Sequence, residues 1–493
     1  MDRRNFLKTS GVTAAACLAA TSLNSCSGIL DGTKDISIKD VKDSYKNQLV
    51  VVGGGPAGVC AAIAAARKGV KAMILEQGGC LGGMATRGLV APFMTCYDTE
   101  GEQQIIRGLF EEVVQRMVQL GGAIHPRDVR AGSPFTAWIT QGHDHVTPFD
   151  AEVLKYVLDR MVIEAGVKVL FHASFVKPVL RGSKISKIII LTRSGLESIA
   201  ADIFVDATGD GDLAFRSGVP CEYGNPETGR VQPATLFFHI NKVDSDKLIK
   251  DVEDHLDTFH KKDGVSYRAL HWHVAEAEAA GEWSIARKSV NIYRGVKPDE
   301  WAVNCTRIKN VDATNSESLT DAEFEGRRQV NELMNFFHKY VPGCEDATIK
   351  GSGATVGIRE SRHIKGDYVL DVDDLLNGVV PEDSILLASN SVDVHGRGGD
   401  YSTEYITVKN GRWYGVPYRC LLPQGVDNLL VAGRSLSATS DAAGAVRVMP
   451  PCMAMGQAAG TAAALAIKGG CGPRDVDVAQ LIQDLKSQDV FLV

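Results

Sequence analysis

Several protein classes are excluded by what this sequence lacks. Its 11 Cys include no CxxC pair, and no HExxH or zinc-spaced Cys/His set occurs. Neither a disulfide framework nor a metal site is therefore expected. Basic residues are the minority, with 53 Lys plus Arg against 60 Asp plus Glu and a net charge of −7, which argues against a nucleic-acid partner. Long apolar runs are also missing. The stretch from Gly11 to Leu23 is too short to span a bilayer, and the Ala-rich stretch from Pro451 to Ile467 is interrupted by Gln457. What remains is an ordinary globular composition, 44% hydrophobic and 23% charged over 493 residues, enough for two or more domains of about 100–200 residues each. Glycine is plentiful, at 50 residues against a usual ~7%.

The N-terminus reads as an export signal. Arg3-Arg4-Asn5-Phe6-Leu7-Lys8 matches the twin-arginine pattern, with Asp2 where Ser or Thr is usual, and a short apolar segment follows. Leu23-Asn24-Ser25-Cys26 is similar to a lipobox, from which Asn24 departs. Read that way, Cys26 is acylated and attaches the mature chain to a membrane; the alternative is plain cleavage with Cys26 discarded. Residues 1–25 are assigned to the signal and 26–47 to a polar tether, with a periplasmic or cell-envelope location.

Order is expected from Leu49. Leu49-Val50-Val51-Val52 is a short strand, followed by Gly53-Gly54-Gly55-Pro56-Ala57-Gly58, an alanine-rich helix from Val59 to Lys68, and Gly69 as its cap. Gly53 allows the tight turn, Gly55 removes the Cβ that would block a pyrophosphate, and Gly58 lets the helix approach the strand with its positive end at the phosphate. A second strand, Lys71 to Leu75, ends in Glu76, placed to accept hydrogen bonds from ribose hydroxyls. These elements alone fit NAD or FAD. The stretch Gly78 to Thr86, with Gly82, Gly83 and Met84, favours FAD because it lets the chain follow the pyrophosphate toward a flavin. Strand Ile199–Val205 runs into Asp206-Ala207-Thr208-Gly209, and Asn428–Ala432 into Gly433-Arg434; both return to the cofactor. A long small-residue helix starting near Pro450 and Pro451 points its N-terminus, with Arg447, at the flavin's pyrimidine edge, and Gly456 lies in its early turns. The expected cofactor-binding set is Gly53, Gly55, Pro56, Ala57, Gly58, Glu76, Gly82, Gly83, Met84, Thr208, Gly209, Gly433, Arg434, Arg447 and Gly456.

Together VVVGGGPAGVCAAIAAARKG, ILEQGGCLGGMAT, FVDATGDGDLA, GIRESR, NLLVAGRSLSAT and RVMPPCMAMGQAAGTAAAL resemble the FAD-dependent oxidoreductase family of exported bacterial flavoproteins. More distantly they are similar to the flavin subunits of fumarate reductase and heterodisulfide reductase. The resemblance covers Leu49 to about Lys468. It implies an α/β fold, a Rossmann-like FAD-binding domain of the two-dinucleotide-binding type, with an inserted α+β substrate or cap domain.

The FAD domain is expected to be discontinuous: 48–100, 150–215 and 425–470. Residues 101–149 form a helical insertion, 216–424 the cap, and 471–493 a C-terminal helix and tail. Ile106, Leu109, Val113 and Met117 share one helix face, Asp150 caps the next helix, and Thr320-Asp321-Ala322-Glu323 is a capping box opening a helix to about Tyr340. Gly351 to Gly357 is rejected as a second dinucleotide motif, since no strand precedes it and no small-residue helix follows. Electrons therefore exchange with an unidentified external acceptor or donor.

For chemistry, Arg359, Glu360 and Arg362 suit a carboxylate or a polarised carbonyl. Asp393-Val394-His395-Gly396-Arg397 adds a histidine, an orienting acid and a third arginine. His395 is the expected acid or base, with Arg359, Arg362, Asp393 and Arg397 around it. Cys80 can serve as a redox thiol or as packing. His143-Asp144-His145 and His271-Trp272-His273 read as loop or core histidines. Three activities stay open: hydride transfer between flavin N5 and a small polar organic substrate, fumarate-reductase-like reduction of an activated double bond, and a non-catalytic flavin electron carrier.

Overall fold

β1 (Asp43–Val52) ends in four buried residues, Leu49 to Val52, as a strand covered on both faces requires. These elements come from a computed structural model that describes residues 41, 43–395 and 401–493. The export signal, Cys26 and Arg397 lie outside the described residues. β1 opens at Asp43, inside the segment expected to be tether, because its first residues pair along a neighbouring strand, Asp43 opposite Ser198.

α1 (Pro56–Arg67) follows the glycine turn with Pro56 in its first turn, where the missing N–H leaves no acceptor unpaired. β2 (Ala72–Leu75) then returns parallel to β1. α2 (Leu109–Gln119) buries the expected face with Leu109, Val113 and Met117. α3 (Ala151–Glu164) is capped by Asp150, whose carboxylate accepts from the Glu152 and Val153 amides at 2.8 and 3.3 Å.

β3 (Lys168–Leu170) extends the sheet parallel to β2. β4 (Ser174–Arg181), β5 (Lys184–Thr192) and β6 (Gly195–Asp206) form an antiparallel meander whose last strand pairs parallel with β1. The resulting order is β3-β2-β1-β6-β5-β4.

A second, antiparallel sheet has its own core. β7 (Phe238–Asn241), β8 (Asn291–Arg294), β9 (Trp301–Asn304) and β10 (Thr348–Ser352) pair in the order β8-β9-β7-β10. α4 (Ser316–Tyr340) buries Leu333, Phe336 and Phe337 in the same apolar cluster as Phe238 and Trp301. α4 starts one turn before the expected capping box. Asn315 accepts from the Ser318 amide at 3.0 Å, and Thr320 turns its hydroxyl back to the Ser316 carbonyl at 2.8 Å. The same i−4 bond that a helix interior allows to threonine thus removes it from capping.

β11 (Val392–His395) and β12 (Thr403–Ile406) form a small antiparallel ladder. β13 (Leu429–Val431) adds to β6 in parallel, and α5 (Ser440–Val446) leads to α6 (Met449–Gly469). α6 lies directly on α1. A Cβ at Gly456 would stand 2.0 Å from the Ala57 carbonyl, and one at Gly460 2.0 Å from that of Ala61. Residues from Ile385 to Leu422 join the apolar cluster of α1 and α6. The second cluster draws on Trp138 and residues between Ala234 and Val356, a narrower body than the expected 216–424 insertion. Asp43–Val493 is a single contact unit.

Candidate active site

A cavity of about 620 Å³ opens at the carboxyl ends of β1, β2 and β6 and is lined by Gly53, Gly55, Glu76, Thr208 and Gly209. This is where open α/β sheets bind ligands. Gly53 has φ +106 and a Cβ there would lie 2.3 Å from the Ala207 carbonyl oxygen, so only glycine makes this turn. At Gly55 a Cβ would meet no protein atom within 4 Å; the space it would fill belongs to the cavity, at the N-terminus of α1. Glu76 is buried and accepts from the Gly54 amide at 2.9 Å and the Gly78 amide at 2.6 Å, with Arg87 at 3.4 Å. Two carboxylate oxygens hold about four acceptor sites, which leaves capacity for ribose hydroxyls. Asp206 at the end of β6 fixes the next turn by accepting from the Thr208 amide and hydroxyl and the Ala214 amide, at 3.0, 2.8 and 2.8 Å. Burial raises its pKa to about 6. These residues fit a dinucleotide: an open glycine cradle on a helix N-terminus, with an acid beyond it.

The same cavity continues to a wall of cationic and aromatic groups that includes Arg268, Arg287, Arg359, Arg447, Tyr293 and Tyr405. Asp393 and His395 alternate on β11 and so share a face; Asp393 Oδ2 lies 3.3 Å from His395 Nε2. His395 Nδ1 lies 3.2 Å from Arg307 Nη2 and 3.0 Å from the Thr403 hydroxyl. A guanidinium can only donate, so Nδ1 accepts and Nε2–H points at Asp393. Both ring nitrogens are thereby engaged by the protein. Burial pushes His395 down to about 3 against the pull of Asp393, with Arg359 adding to the fall. Burial would raise Asp393, but His395, then Arg447 and Arg359, hold it well below the usual carboxylate range.

His143 lines the cavity as well. Its Nδ1 faces the Gln141 carbonyl at 3.2 Å and the Tyr405 hydroxyl at 3.4 Å; the nearer carbonyl only accepts, so Nδ1 carries the proton, the Tyr405 oxygen accepts a share of it, and Nε2 keeps the lone pair. Nε2 has no hydrogen-bond partner among the described residues. The ring is parallel to Tyr293, 9° between planes, and 5.8 Å from Tyr405. Burial lowers its pKa to about 4, keeping the imidazole neutral.

The profile of the family described as FAD dependent oxidoreductase matches residues 48–485. The chain belongs to this family. It is an enzyme that uses FAD. Residues 1–20 match a twin-arginine translocation signal, which directs export across the membrane. No curated protein matches the chain. Similar solved structures include a geranylgeranyl bacteriochlorophyll reductase-like protein of Thermoplasma acidophilum, at 12% identity and TM-score 0.43 over 90% of this chain and 83% of that one. Another is p-nitrophenol 4-monooxygenase PnpA of Pseudomonas putida DLL-E4, at 11% identity and TM-score 0.44 over 90% and 94%.

Within this FAD dependent oxidoreductase, most of the expected residues meet in the cavity: Gly53, Gly55, Pro56, Ala57, Glu76, Gly83, Met84, Thr208, Gly209, Gly433, Arg434 and Arg447, with Arg359, Asp393 and His395 at the far wall. Four do not line it. Gly58 and Gly456 serve close backbone packing, against the Gly53 and Ala57 carbonyls. Gly82 donates its amide to the Gly54 carbonyl at 2.8 Å. Arg362 turns away to pair with Asp212 at 3.0 Å and to cover the Phe215 ring. Cys80 also stays outside the lining and contacts the Thr86 hydroxyl at 3.8 Å. The sequence singles out none of Arg268, Arg287, Tyr293 and Tyr405, which lie in separate segments with no shared motif, and His143, expected as a loop or core histidine, lines the cavity with them. His145, two residues from His143, is a core histidine held by the Pro126 and Gly101 carbonyls at 2.8 and 2.9 Å.

Proposed function

We propose that this enzyme moves a hydride between FAD and a small polar organic substrate, oxidising a C–H/O–H pair to a carbonyl. The reading rests on the continuity of one cavity from the glycine cradle to a wall carrying two neutral imidazoles. FAD, when bound, supplies the two-electron acceptor. The chain's own part is to hold the substrate and take its proton. His143 fits the proton acceptor, because its Nε2 lone pair has no competing donor and Gln141 fixes the tautomer. His395, the residue expected for that role, fits a positioning role instead, locked between Asp393, Arg307 and Thr403. The proposed location is the cell envelope, with the mature chain attached through an acylated Cys26 and electrons passing to a separate acceptor.

The reductase reading draws support from Arg359. Burial, then Arg447 and Arg287, push its guanidinium well below its ordinary range, which makes it a better donor of the proton that must reach one carbon of a double bond as hydride adds to the other. Anaerobic mixing separates the two. Substrate that bleaches the oxidised flavin supports oxidation; substrate that restores colour to the reduced flavin supports reduction. A purified mature protein without a flavin spectrum, or one that neither class of substrate affects, defeats both.

A further inference from the structure

We infer that the far wall of the cavity is built for a polyhydroxylated organic anion, a sugar acid, rather than for a neutral polyol or a plain dicarboxylate. The inference deepens the hydride-transfer reading and rests on it only for the choice of cavity.

The first observation is uncompensated charge. Arg268, Arg287 and Arg359 line the cavity, and none of them forms an ion pair within 4.0 Å among the described residues. Arg287 donates to the Asn304 carbonyl at 3.1 Å. Arg359 donates to the Pro233 carbonyl at 2.5 Å and to Asn304 Oδ1 at 3.4 Å. All these acceptors are neutral. Asp393 on the same wall offsets part of the charge at Arg359, but it is already held by His395 at 3.3 Å and reached by Arg447 at 3.9 Å. The repulsion is felt at Arg359, whose depressed pKa owes most to burial and next to Arg447 and Arg287. Gathering half-buried guanidinium groups on one wall without an ion-pair partner is unfavourable unless a ligand supplies the counter-charge. The glycine cradle that suits the pyrophosphate lies on the first sheet, whereas Arg268 and Arg287 come from the segment with the second core. The missing anion on this wall therefore belongs to the substrate.

The second observation is unpaired acceptors. Asn390 Oδ1, Asp393 Oδ1 and the Ser391 and Thr235 hydroxyl oxygens are buried, find no hydrogen-bond partner among the described residues and belong to residues lining the cavity. Asn390 Oδ1 and Asp393 Oδ1 can only accept. A carboxylate brings no donor to them, and hydroxyl groups do. A neutral polyol would leave the arginines uncompensated, and a simple dicarboxylate would leave the acceptors unpaired. A molecule carrying both a carboxylate and several hydroxyls answers both.

The test uses the FAD-loaded mature protein, titrated anaerobically with D-glucuronate, D-gluconate, D-glucose and succinate. Binding is read from the flavin difference spectrum and from the rise in Tm. At least one sugar acid is expected to bind about tenfold or more tightly than both glucose and succinate, the scale of one charge-assisted hydrogen bond. R268Q and R287Q should each weaken that sugar acid about tenfold and leave glucose unchanged. Their Tm should stay level or rise, because each removes a cation without an ion pair. Equal binding of glucose, equal binding of succinate, no binding of either sugar acid, or unaltered affinity in both variants overturns the inference. If the sugar acid binds by Tm shift but never bleaches the flavin, the substrate class stands and the hydride-transfer reading fails.

Discussion

His143 and His395 reach one cavity with different atoms to spare, and this separates their roles. His143→Ala should slow anaerobic flavin reduction by about 10²-fold or more, the scale of a lost general base, with bound FAD unchanged. His395→Ala should raise KM more than it lowers kcat, since it loosens Asp393, Arg307 and Thr403 together. The reverse pattern would return the proton to His395. Because His143 titrates at about 4 and His395 at about 3, the reduction rate should be flat from pH 6 to 8 and fall only near pH 4. An acidic limb centred near pH 6.5 would count against a buried, neutral His143. At the other end of the cavity, Glu76→Ala should abolish FAD retention, read from the absorbance of the purified protein.

Helices and strands differ in how much of them was legible. The first strand, glycine turn, helix and second strand were readable because each residue acts locally: β-branched residues pair, Gly53 turns, and alanines make a helix without side-chain crowding. Asp150 capped its helix for the same reason. Thr320 did not, because a threonine can bond either forward to an amide or back to a carbonyl, and an asparagine five residues earlier was already in place. Asn315→Ala should accordingly cost about 1 kcal/mol of stability, and Thr320→Ala much less, in chemical denaturation. The cofactor end of the site was legible through contiguous motifs. The far wall was not, since Arg268, Arg287 and His143 are brought together by the second sheet and its loops, and nothing within ten residues of any of them announces the others. Gly456 shows the converse: a glycine expected at the cofactor turns out to let α6 rest on α1. Gly456→Leu should lower Tm strongly even in FAD-saturated protein, because the added atoms meet the Ala57 backbone.

For the molecule as a whole, pH acts on stability through buried groups of opposite sign. His143 and His395 have folded pKa values below the ordinary 6.5, so the unfolded chain takes up protons first, and stability present above pH 6.5 is lost as pH falls toward 4. Asp206, raised from 3.8 to about 6, works the other way over its own interval and offsets one histidine. Tm should therefore be lower at pH 5 than at pH 7, and a Tm that rises on acidification would contradict the burial of both imidazoles. The contact of α6 with α1 bears also on the order of events in the cell. Gly55 and Glu76 leave the ribosome early, whereas Gly433, Arg447 and the helix that backs α1 are among the last parts made. The cofactor site is complete only when nearly the whole chain has been released, so FAD loading is expected to follow synthesis and to come before export through the twin-arginine signal. A cell starved of flavin should accumulate precursor in the cytoplasm, with its signal uncleaved.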